Sequence, residues 1–168
     1  MNLDNIELPD HNGSLVDVGE LAYNNISVFI FMSTDCPLCI SYTKTIKDIH
    51  QKFLSDSVIF FTVFPGNLYS AEEINEFRDR YDFRLICLQD RDLTLTKLLH
   101  AEITPEAVVI SFKGETAYSG AINNWMYETG KKRTVITENY LDNALSALIN
   151  GGKPDPVNTE AVGCYIEL

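Results

Sequence analysis

The stretch ISVFIFMSTDCPLCISYTKTIKDIHQKFL, residues 26–54, decides the fold of this 168-residue chain. Its first part, ISVFIFMS, is apolar at nearly every position, which is typical of a strand covered on both faces in a central parallel sheet. Apolar residues then recur at spacings of three and four, a pattern that predicts an amphipathic helix. These residues are Leu38, Tyr42, Ile46, Ile49 and Phe53.

Two cysteines, Cys36 and Cys39, lie where the predicted strand gives way to the predicted helix. Pro37 suits the first turn of that helix, because its missing N–H is not needed there. Unpaired N–H groups of a first turn stabilise a negative charge, so we expect a reactive thiolate at Cys36. Cys39 would lie one turn inside the helix, more buried and able to attack a mixed disulfide. Asp35 acts in the opposite direction, since a neighbouring carboxylate raises the pKa of a thiol.

The Cys-x-x-Cys spacing also occurs in zinc sites and in haem attachment motifs. Structural zinc usually needs four ligands, whereas this chain has one such pair and three scattered histidines, His11, His50 and His100. Haem attachment needs a histidine directly after the second cysteine, and Ile40 stands there. A redox dithiol fits best, with no metal and with no cofactor beyond a Cys36–Cys39 disulfide.

The segments on either side of residues 26–54 alternate between strand and helix patterns. Asn12-Gly13 is a tight-turn signal between two extended stretches, and Ser70-x-x-Glu73 is a capping box that predicts a helix start. The other predicted elements are a hairpin-like segment at 6–21, strands at 57–65, 84–90, 103–111 and 115–122, helices at 70–82, 91–101 and 136–150, a loop at 123–133 and an extended tail.

The order of these elements defines the fold class. Strands that alternate with helices imply βαβ crossovers and a mostly parallel sheet, to which the hairpin across Lys113-Gly114 adds an antiparallel edge. The last helix is predicted to have Thr137 as its N-cap and to end at Gly151-Gly152. We therefore predict an α/β fold with one domain at 1–152 and a tail at 153–168 packed on the same domain.

The composition excludes several classes of partner. The formal net charge is −11, and such a surface repels nucleic-acid phosphates and anionic lipid headgroups. No apolar run approaches the roughly 20 residues that a membrane-spanning helix needs, and the start of the chain has neither the basic nor the apolar region of a signal peptide. We expect no nucleic-acid partner, no stable membrane insertion and a monomer.

The motifs together resemble the thioredoxin fold in its redoxin branch, the TlpA-like and AhpC/TSA-like proteins. The resemblance rests on the leading IELPDHNGSLVDVGEL, the strand–CxxC–helix unit FIFMSTDCPLC, the added strand and helix before RLICLQD, and ITPEA before the last hairpin. It implies a three-layer α/β/α sandwich with a central mixed sheet and an N-terminal extended hairpin. It also implies an exposed attacking thiol at Cys36, a resolving thiol at Cys39 and a cis bond before Pro105. Substrate contacts would come from Pro37, Leu38, Thr104 and Pro105.

The chain departs from typical thioredoxins at the active-site motif. Asp35 replaces the tryptophan before the first cysteine, and Pro37-Leu38 replaces Gly-Pro. The buried acid that thioredoxins keep on the first central strand has no counterpart in VFIFMS. Proton transfer from Cys39 would then need another route, such as water or Glu106.

The tail segment NTEAVGCYI is similar to the end of a redoxin subgroup that finishes in a Val-Gly-Cys segment. This likeness suggests that Cys164 approaches Cys36 and acts as a third redox thiol. The alternative is a small buried or dangling cysteine at a frayed terminus. Cys87 falls in an apolar strand, where a free cysteine is usually structural.

The favoured function is a thiol–disulfide oxidoreductase that acts on a protein thiol or disulfide partner. A thiol peroxidase is the first alternative, because Ser33 stands three residues before Cys36, although Phe29 occupies the position where peroxiredoxins have proline. A non-catalytic binding module is the second alternative. A copper carrier would need a different cysteine spacing. The TlpA-like resemblance favours the extracytoplasmic (periplasmic) side over the cytoplasm.

The predicted loop NNWMYETGKKR combines aromatic and basic residues in an otherwise acidic chain. One interpretation is a contact surface for a partner. The other is a solvated loop with one aromatic side chain turned inward.

Overall fold

The hydrophobic pattern is realised as strands and helices in the predicted order, with short additional elements. The computed structural model describes residues 3–54 and 57–167. The strands are β1 (Glu7–Pro9), β2 (Leu15–Asp17), β3 (Ile26–Phe31), β4 (Val58–Pro65), β5 (Ile86–Asp90), β6 (Ile103–Thr104), β7 (Glu106–Ile110), β8 (Thr116–Gly120), β9 (Met126–Glu128), β10 (Lys131–Lys132) and β11 (Cys164–Tyr165). The helices are α1 (Val18–Ala22), α2 (Pro37–Lys52), α3 (Ala71–Tyr81), α4 (Thr94–Leu99) and α5 (Tyr140–Ile149).

The apolar run of the opening motif forms the central strand of a five-stranded sheet. The strand order is β5-β4-β3-β7-β8. Strands β3, β4 and β5 are parallel, as the βαβ reading predicts, and β7 and β8 add an antiparallel edge. Every residue of β3 is buried, because both faces of a central strand are covered by helices.

Alternate side chains of β3 face two separate apolar clusters. Val28 and Ile30 pack with residues of α2, α3 and α5. Phe29 and Phe31 pack on the other face with residues of α4 and of the N-terminal segment, which includes Leu8 of β1. Helices thus cover both faces of a mixed sheet, and the predicted three-layer α/β/α sandwich with an N-terminal β1–β2 hairpin is confirmed.

The first residue of helix α3 agrees with the prediction from local sequence, and that of helix α5 does not. Ser70 and Glu73 form the predicted capping box at α3. Helix α5, however, begins after Asn139, which makes no side-chain cap bond, so the prediction of Thr137 as N-cap is wrong. The hydroxyl of Thr137 instead accepts a hydrogen bond from Asn124 at 2.7 Å, which keeps Thr137 in the preceding loop.

The predicted loop at 123–133 contains a short hairpin, β9–β10. Trp125 meets the ring of Tyr42 edge-on, with ring centroids 5.4 Å apart. Lys132 lies over the Trp125 ring at 5.6 Å, and Tyr127 remains 52% exposed. The arrangement agrees with the second interpretation, in which one aromatic side chain turns inward.

The C-terminal tail contacts two strands, β8 of the central sheet and the separate strand β6. Near its middle, the Thr159 backbone N–H donates to the Ser119 carbonyl at 3.0 Å, and the Thr159 hydroxyl lies 2.6 Å from the hydroxyl of Tyr118. Farther on, β11 pairs antiparallel with β6, directly before Pro105. Among residues 3–54 and 57–167, no helix is both long enough and apolar enough to cross a bilayer.

Candidate active site at the start of helix α2

Cys36 occupies the junction between β3 and α2, as the motif predicts. It is the N-cap residue of α2, and Pro37 lies in the first turn. Cys39 lies one turn inside the helix and is fully buried. The strand–turn–helix connection therefore places one thiol at the end of the helix and the other behind it.

The surroundings of Cys36 favour the thiolate. The hydrogen bond with the Cys39 thiol is the largest cause that lowers the pKa of Cys36, to about 5. The thiol of Cys164 and the backbone amides of Cys39 and Leu38 act in the same direction, while burial opposes them. These interactions favour the ionised form of Cys36, and amides of the first helical turn are among them.

The expected effect of Asp35 does not decide the charge of Cys36. The net direction of the Cys36 pKa is downward in spite of the adjacent carboxylate. One oxygen of Asp35 accepts a hydrogen bond from the Tyr69 hydroxyl at 2.6 Å. The Asp35 charge does contribute to a raised pKa at Cys164, after burial and the interactions with Cys36.

Cys39 is held in its neutral form by its position in the core. Burial is the largest cause that raises the pKa of Cys39, followed by its interactions with Cys36. The backbone N–H of Ser33 donates to the Cys39 sulfur at 3.4 Å, and the Ser33 hydroxyl lies 3.9 Å from the same sulfur. These donors would stabilise a Cys39 thiolate at the moment it forms.

Thr104, which directly precedes Pro105, lies close to both active-site thiols. The Thr104–Pro105 bond is cis, as the family resemblance implies. The Cys36 sulfur lies 3.6 Å from the Thr104 carbonyl oxygen, and the Thr104 hydroxyl lies 3.3 Å from that of Ser33. The structure therefore brings Cys36, Cys39 and Thr104 together, with Pro105 buried directly after Thr104.

Glu106 supports this site from the side of β6. Its carboxylate accepts hydrogen bonds from the backbone N–H groups of Glu102 and Ile103, at 2.9 and 3.1 Å. Burial raises the pKa of Glu106, and the hydrogen bonds from these amides oppose that rise. The carboxylate thus fixes the two residues that precede Thr104.

The expected exposure of Cys36 is wrong for this structure. The residue is only 2% exposed, because the tail strand β11 lies beside it. The sulfur of Cys164 approaches the sulfur of Cys36 to 2.6 Å, while Cys164 itself is exposed. The tail cysteine does not dangle: its position is set by pairing between two strands of two residues each, β6 and β11.

A groove of about 450 Å³ opens beside the thiols. Its walls include Cys36, Pro37, Thr104 and Cys164, and Leu38 packs partly buried against the core instead. Sequence reasoning missed several further wall residues, among them Leu68, Tyr69 and Arg91. They follow the carboxyl ends of β4 and β5, and this edge of a parallel sheet is where ligands commonly bind, so the strand pattern contained a usable signal.

Cys87 lies in β5, away from the groove. It is fully buried, and burial raises the pKa of its thiol to about 12. Its sulfur donates to the Leu85 carbonyl at 3.6 Å. Within the part of the chain that the structure describes, no three His, Cys, Asp or Glu side chains are grouped so as to hold a metal ion.

Comparison with known proteins relates this geometry to solved structures. The sequence matches no protein-family model and no curated protein. A hypothetical protein of Sinorhizobium meliloti aligns with a TM-score of 0.84 at 18% identity, over 99% of this chain and 94% of that one. An uncharacterized conserved protein of Geobacillus kaustophilus aligns with a TM-score of 0.83 at 17% identity, over 100% of this chain and 90% of the other.

A third similar structure has a described activity. It is a secreted disulfide oxidoreductase of Mycobacterium tuberculosis, with a TM-score of 0.61 at 14% identity, over 87% of this chain and 95% of that one. At this identity the similarity concerns the backbone arrangement, so the chemistry has to be argued from the residues described above.

Proposed function

From the thioredoxin fold that this chain shares with those structures, and from the state of its two active-site thiols, we propose that it is a thiol–disulfide oxidoreductase with a protein partner. The observation that carries the proposal is the position of Cys36 at the start of α2, with a pKa of about 5 and with the neutral Cys39 behind it. The Cys36 thiolate can attack at neutral pH, and Cys39 stays protonated until the second step.

The reaction proceeds in two exchange steps. The Cys36 thiolate attacks one sulfur of a partner disulfide, and the other partner sulfur leaves as a thiolate. Cys39 then loses its proton and attacks the Cys36 sulfur, which breaks the mixed disulfide and releases the second partner sulfur. The partner gains two electrons, and the Cys36–Cys39 pair is oxidised to a disulfide. The N–H of Ser33, 3.4 Å from the Cys39 sulfur, stabilises the attacking thiolate.

The surroundings of Ser33 and Phe29 favour this reaction over peroxide reduction. The Ser33 hydroxyl lies against the sulfur of Cys39 and the hydroxyl of Thr104, on the resolving side of the site. Phe29 is fully buried in β3, stacked on Phe61 with ring centroids 5.0 Å apart. The Ser33 hydroxyl is thus engaged on the Cys39 side of the site, and Phe29 is part of the core.

The groove beside Cys36 suits a segment of another protein. Leu68, which is 64% exposed, offers an apolar wall, and Arg91 a positive charge. We propose that the chain acts as a monomer on protein thiols. The secreted neighbour from Mycobacterium tuberculosis supports placement outside the cytoplasm.

The decisive experiment is insulin reduction with dithiothreitol. We expect the wild-type chain to accelerate insulin reduction. The catalysed rate should be more than about 100-fold lower in Cys36→Ser, because this variant lacks the nucleophile. A Cys39→Ser/Cys164→Ser double variant, which lacks both neighbouring thiols, should accumulate a mixed disulfide with insulin through Cys36, detectable by mass spectrometry.

Cys87→Ala is the matched control, since Cys87 is buried in β5 and faces no groove. It should keep activity close to that of the wild type. An unchanged rate in Cys36→Ser contradicts the proposal. Peroxide consumption that depends on Cys36, in a chain that does not reduce insulin, would instead identify a peroxidase.

A further inference from the structure

The tail strand β11 is bound to β6 as an added strand. Cys164 is opposite Thr104, and Tyr165 is opposite Ile103. The N–H of Ile166 donates to the Glu102 carbonyl at 2.9 Å, and the Thr104 hydroxyl donates to the Cys164 carbonyl at 3.4 Å. The tail thus uses the backbone edge that lies directly beside the Cys36 sulfur.

Gly163 permits the close approach. A Cβ atom at this position would clash with the backbone carbonyl oxygen of Thr104. Its backbone is not in the left-handed region, so the requirement for glycine comes from the neighbour and not from local conformation. The register that brings Cys164 to Cys36 therefore depends on a residue without a side chain directly before the cysteine.

We propose that Cys164 is a third redox thiol, which forms a Cys36–Cys164 disulfide by exchange with Cys36–Cys39 while β11 occupies the edge of β6. The proposal rests on the proposed function, because that reaction supplies the Cys36–Cys39 disulfide. In addition, the exchange replaces the buried Cys39 with the exposed Cys164 as the disulfide partner of Cys36.

The exchange needs no further oxidant. Cys164 loses its proton, and its thiolate attacks the Cys36 sulfur of the Cys36–Cys39 bond. The Cys36–Cys164 bond forms, the Cys36–Cys39 bond breaks, and Cys39 leaves as a thiolate that takes up a proton. The number of disulfides is unchanged. The N–H of Ser33 stabilises the departing sulfur of Cys39.

The pairing of β11 with β6 brings the sulfur atoms of Cys36 and Cys164 into direct contact. A disulfide bond measures about 2.05 Å, and the sulfur atoms of Cys36 and Cys164 are 2.6 Å apart. In this reduced form, interaction with Cys36 contributes to the raised pKa of Cys164, after burial. That contribution disappears once Cys36 is part of a disulfide and carries no charge, so Cys164 becomes easier to ionise when it is needed.

The tail and the partner compete for the same sulfur. With β11 in place, Cys36 is 2% exposed, so an incoming disulfide reaches it only after the strand has moved. Local opening of a two-residue pairing requires little free energy compared with global unfolding. Return of the strand after the partner leaves delivers Cys164 to Cys36.

Gly163→Ala in the 168-residue chain tests this directly, because one methyl group opposes the pairing while every cysteine is retained. Glu160→Ala is the matched control, since it changes an exposed side chain of the same tail. We expect Cys36 to be alkylated by iodoacetamide about tenfold faster in Gly163→Ala than in the wild type, as the covered state loses population. Glu160→Ala should behave as the wild type.

Disulfide mapping supplies the second readout. The chain is oxidised with oxidised glutathione, quenched in acid, and its linked peptides are identified by mass spectrometry. We expect the Cys36–Cys164 peptide pair in the wild type and in Glu160→Ala, and mainly Cys36–Cys39 in Gly163→Ala and Cys164→Ser. If the oxidised wild type contains Cys36–Cys39 alone, the proposal is wrong, whatever the alkylation rates are.

The outcomes separate this inference from the proposed function. A Cys36–Cys164 disulfide in a chain whose wild type and Gly163→Ala variant both fail to reduce insulin supports the third thiol and overturns the oxidoreductase. Insulin reduction without any Cys36–Cys164 disulfide supports the oxidoreductase and overturns the third thiol.

Discussion

Two cysteines of this chain are almost equally hidden and chemically opposite. Cys36 is 2% exposed and Cys87 is 0% exposed. The pKa of Cys36 is lowered to about 5, whereas that of Cys87 is raised to about 12. The exposed fraction alone therefore does not decide the reactivity of a thiol in this fold: burial is the largest cause of the pKa shift at Cys87, and a hydrogen bond is the largest at Cys36.

The difference lies in the balance between burial and hydrogen bonds at each sulfur. Cys87 lies inside β5, where it pairs with Thr62 of the parallel neighbour strand, and its thiol points to an acceptor, the Leu85 carbonyl. Cys36 lies at a helix start, where it meets the Cys39 thiol and the amide of Leu38. At Cys36 the hydrogen bonds outweigh the cost of burial and favour the anion, whereas at Cys87 burial outweighs the weaker opposing interactions with Arg78 and Thr62 and keeps the thiol neutral.

The test with the largest expected effect is a titration of the two thiols, followed by the ultraviolet absorbance of thiolate. We expect one step near pH 5 that is absent from Cys36→Ala and retained in Cys87→Ala, because the first variant removes the low-pKa sulfur. The measurement does not require a reagent to reach the covered site. A first step near pH 9 in the wild type would contradict the contrast between the two positions.

The same contrast predicts opposite effects of pH on stability. The pKa of Cys36 falls from 9.0 to about 5 on folding, so its contribution to stability is complete above pH 9 and is lost as the pH falls toward 5. The pKa of Cys87 rises from 9.0 to about 12, so its contribution is complete below pH 9 and is lost as the pH rises toward 12.

Urea unfolding of the reduced protein across this range measures both effects. The difference in unfolding free energy between the wild type and Cys36→Ala should grow as the pH rises from 5 to 9, by at most about 1.4 kcal/mol per pH unit. The corresponding difference for Cys87→Ala should shrink above pH 9. A difference for Cys36→Ala that is independent of pH would show that its sulfur is not ionised in the folded state.

A smaller change is expected when the principal donor to Cys36 is removed. The Cys39 thiol is the largest cause of the low pKa of Cys36, so Cys39→Ala should raise that pKa by about one to two units. Cys39→Ser keeps a donor of similar size and should raise it less. If the titration step stays near pH 5 in Cys39→Ala, the helix amides and Cys164 account for the thiolate instead.

The sequence predicted the parts of this site that depend on short-range pattern. The uninterrupted apolar run fixed β3 in the middle of the sheet, and its boundary with the apolar stripe of α2 placed Cys36 at a helix start. The capping box at Ser70 was confirmed for the same reason, since both of its partners lie within four residues of each other. Thr137 failed as an N-cap because Asn124, thirteen residues away, engages its hydroxyl.

The cover over Cys36 depends on pairing between distant residues. Strands β6 and β11 lie about sixty residues apart in sequence. Each strand has only two residues, which is too few for a periodicity to be recognised. The expected approach of Cys164 came from the likeness of its tail to that of a redoxin subgroup, and nothing in the local pattern indicated that Cys36 would be enclosed. The groove walls at Leu68 and Arg91 differ in this respect, because the predicted ends of β4 and β5 already indicated that edge of the sheet.

The attachment of the tail at Thr159 limits how far Cys164 can move away from Cys36. The backbone and hydroxyl of Thr159 are held by Ser119 and Tyr118, so only a few residues connect this anchor to the cysteine. A short tether of this kind gives an effective concentration on the order of millimolar at its target. An external thiol present at micromolar levels would therefore be outcompeted for Cys36 by the tail, unless its own binding surface supplies the missing affinity.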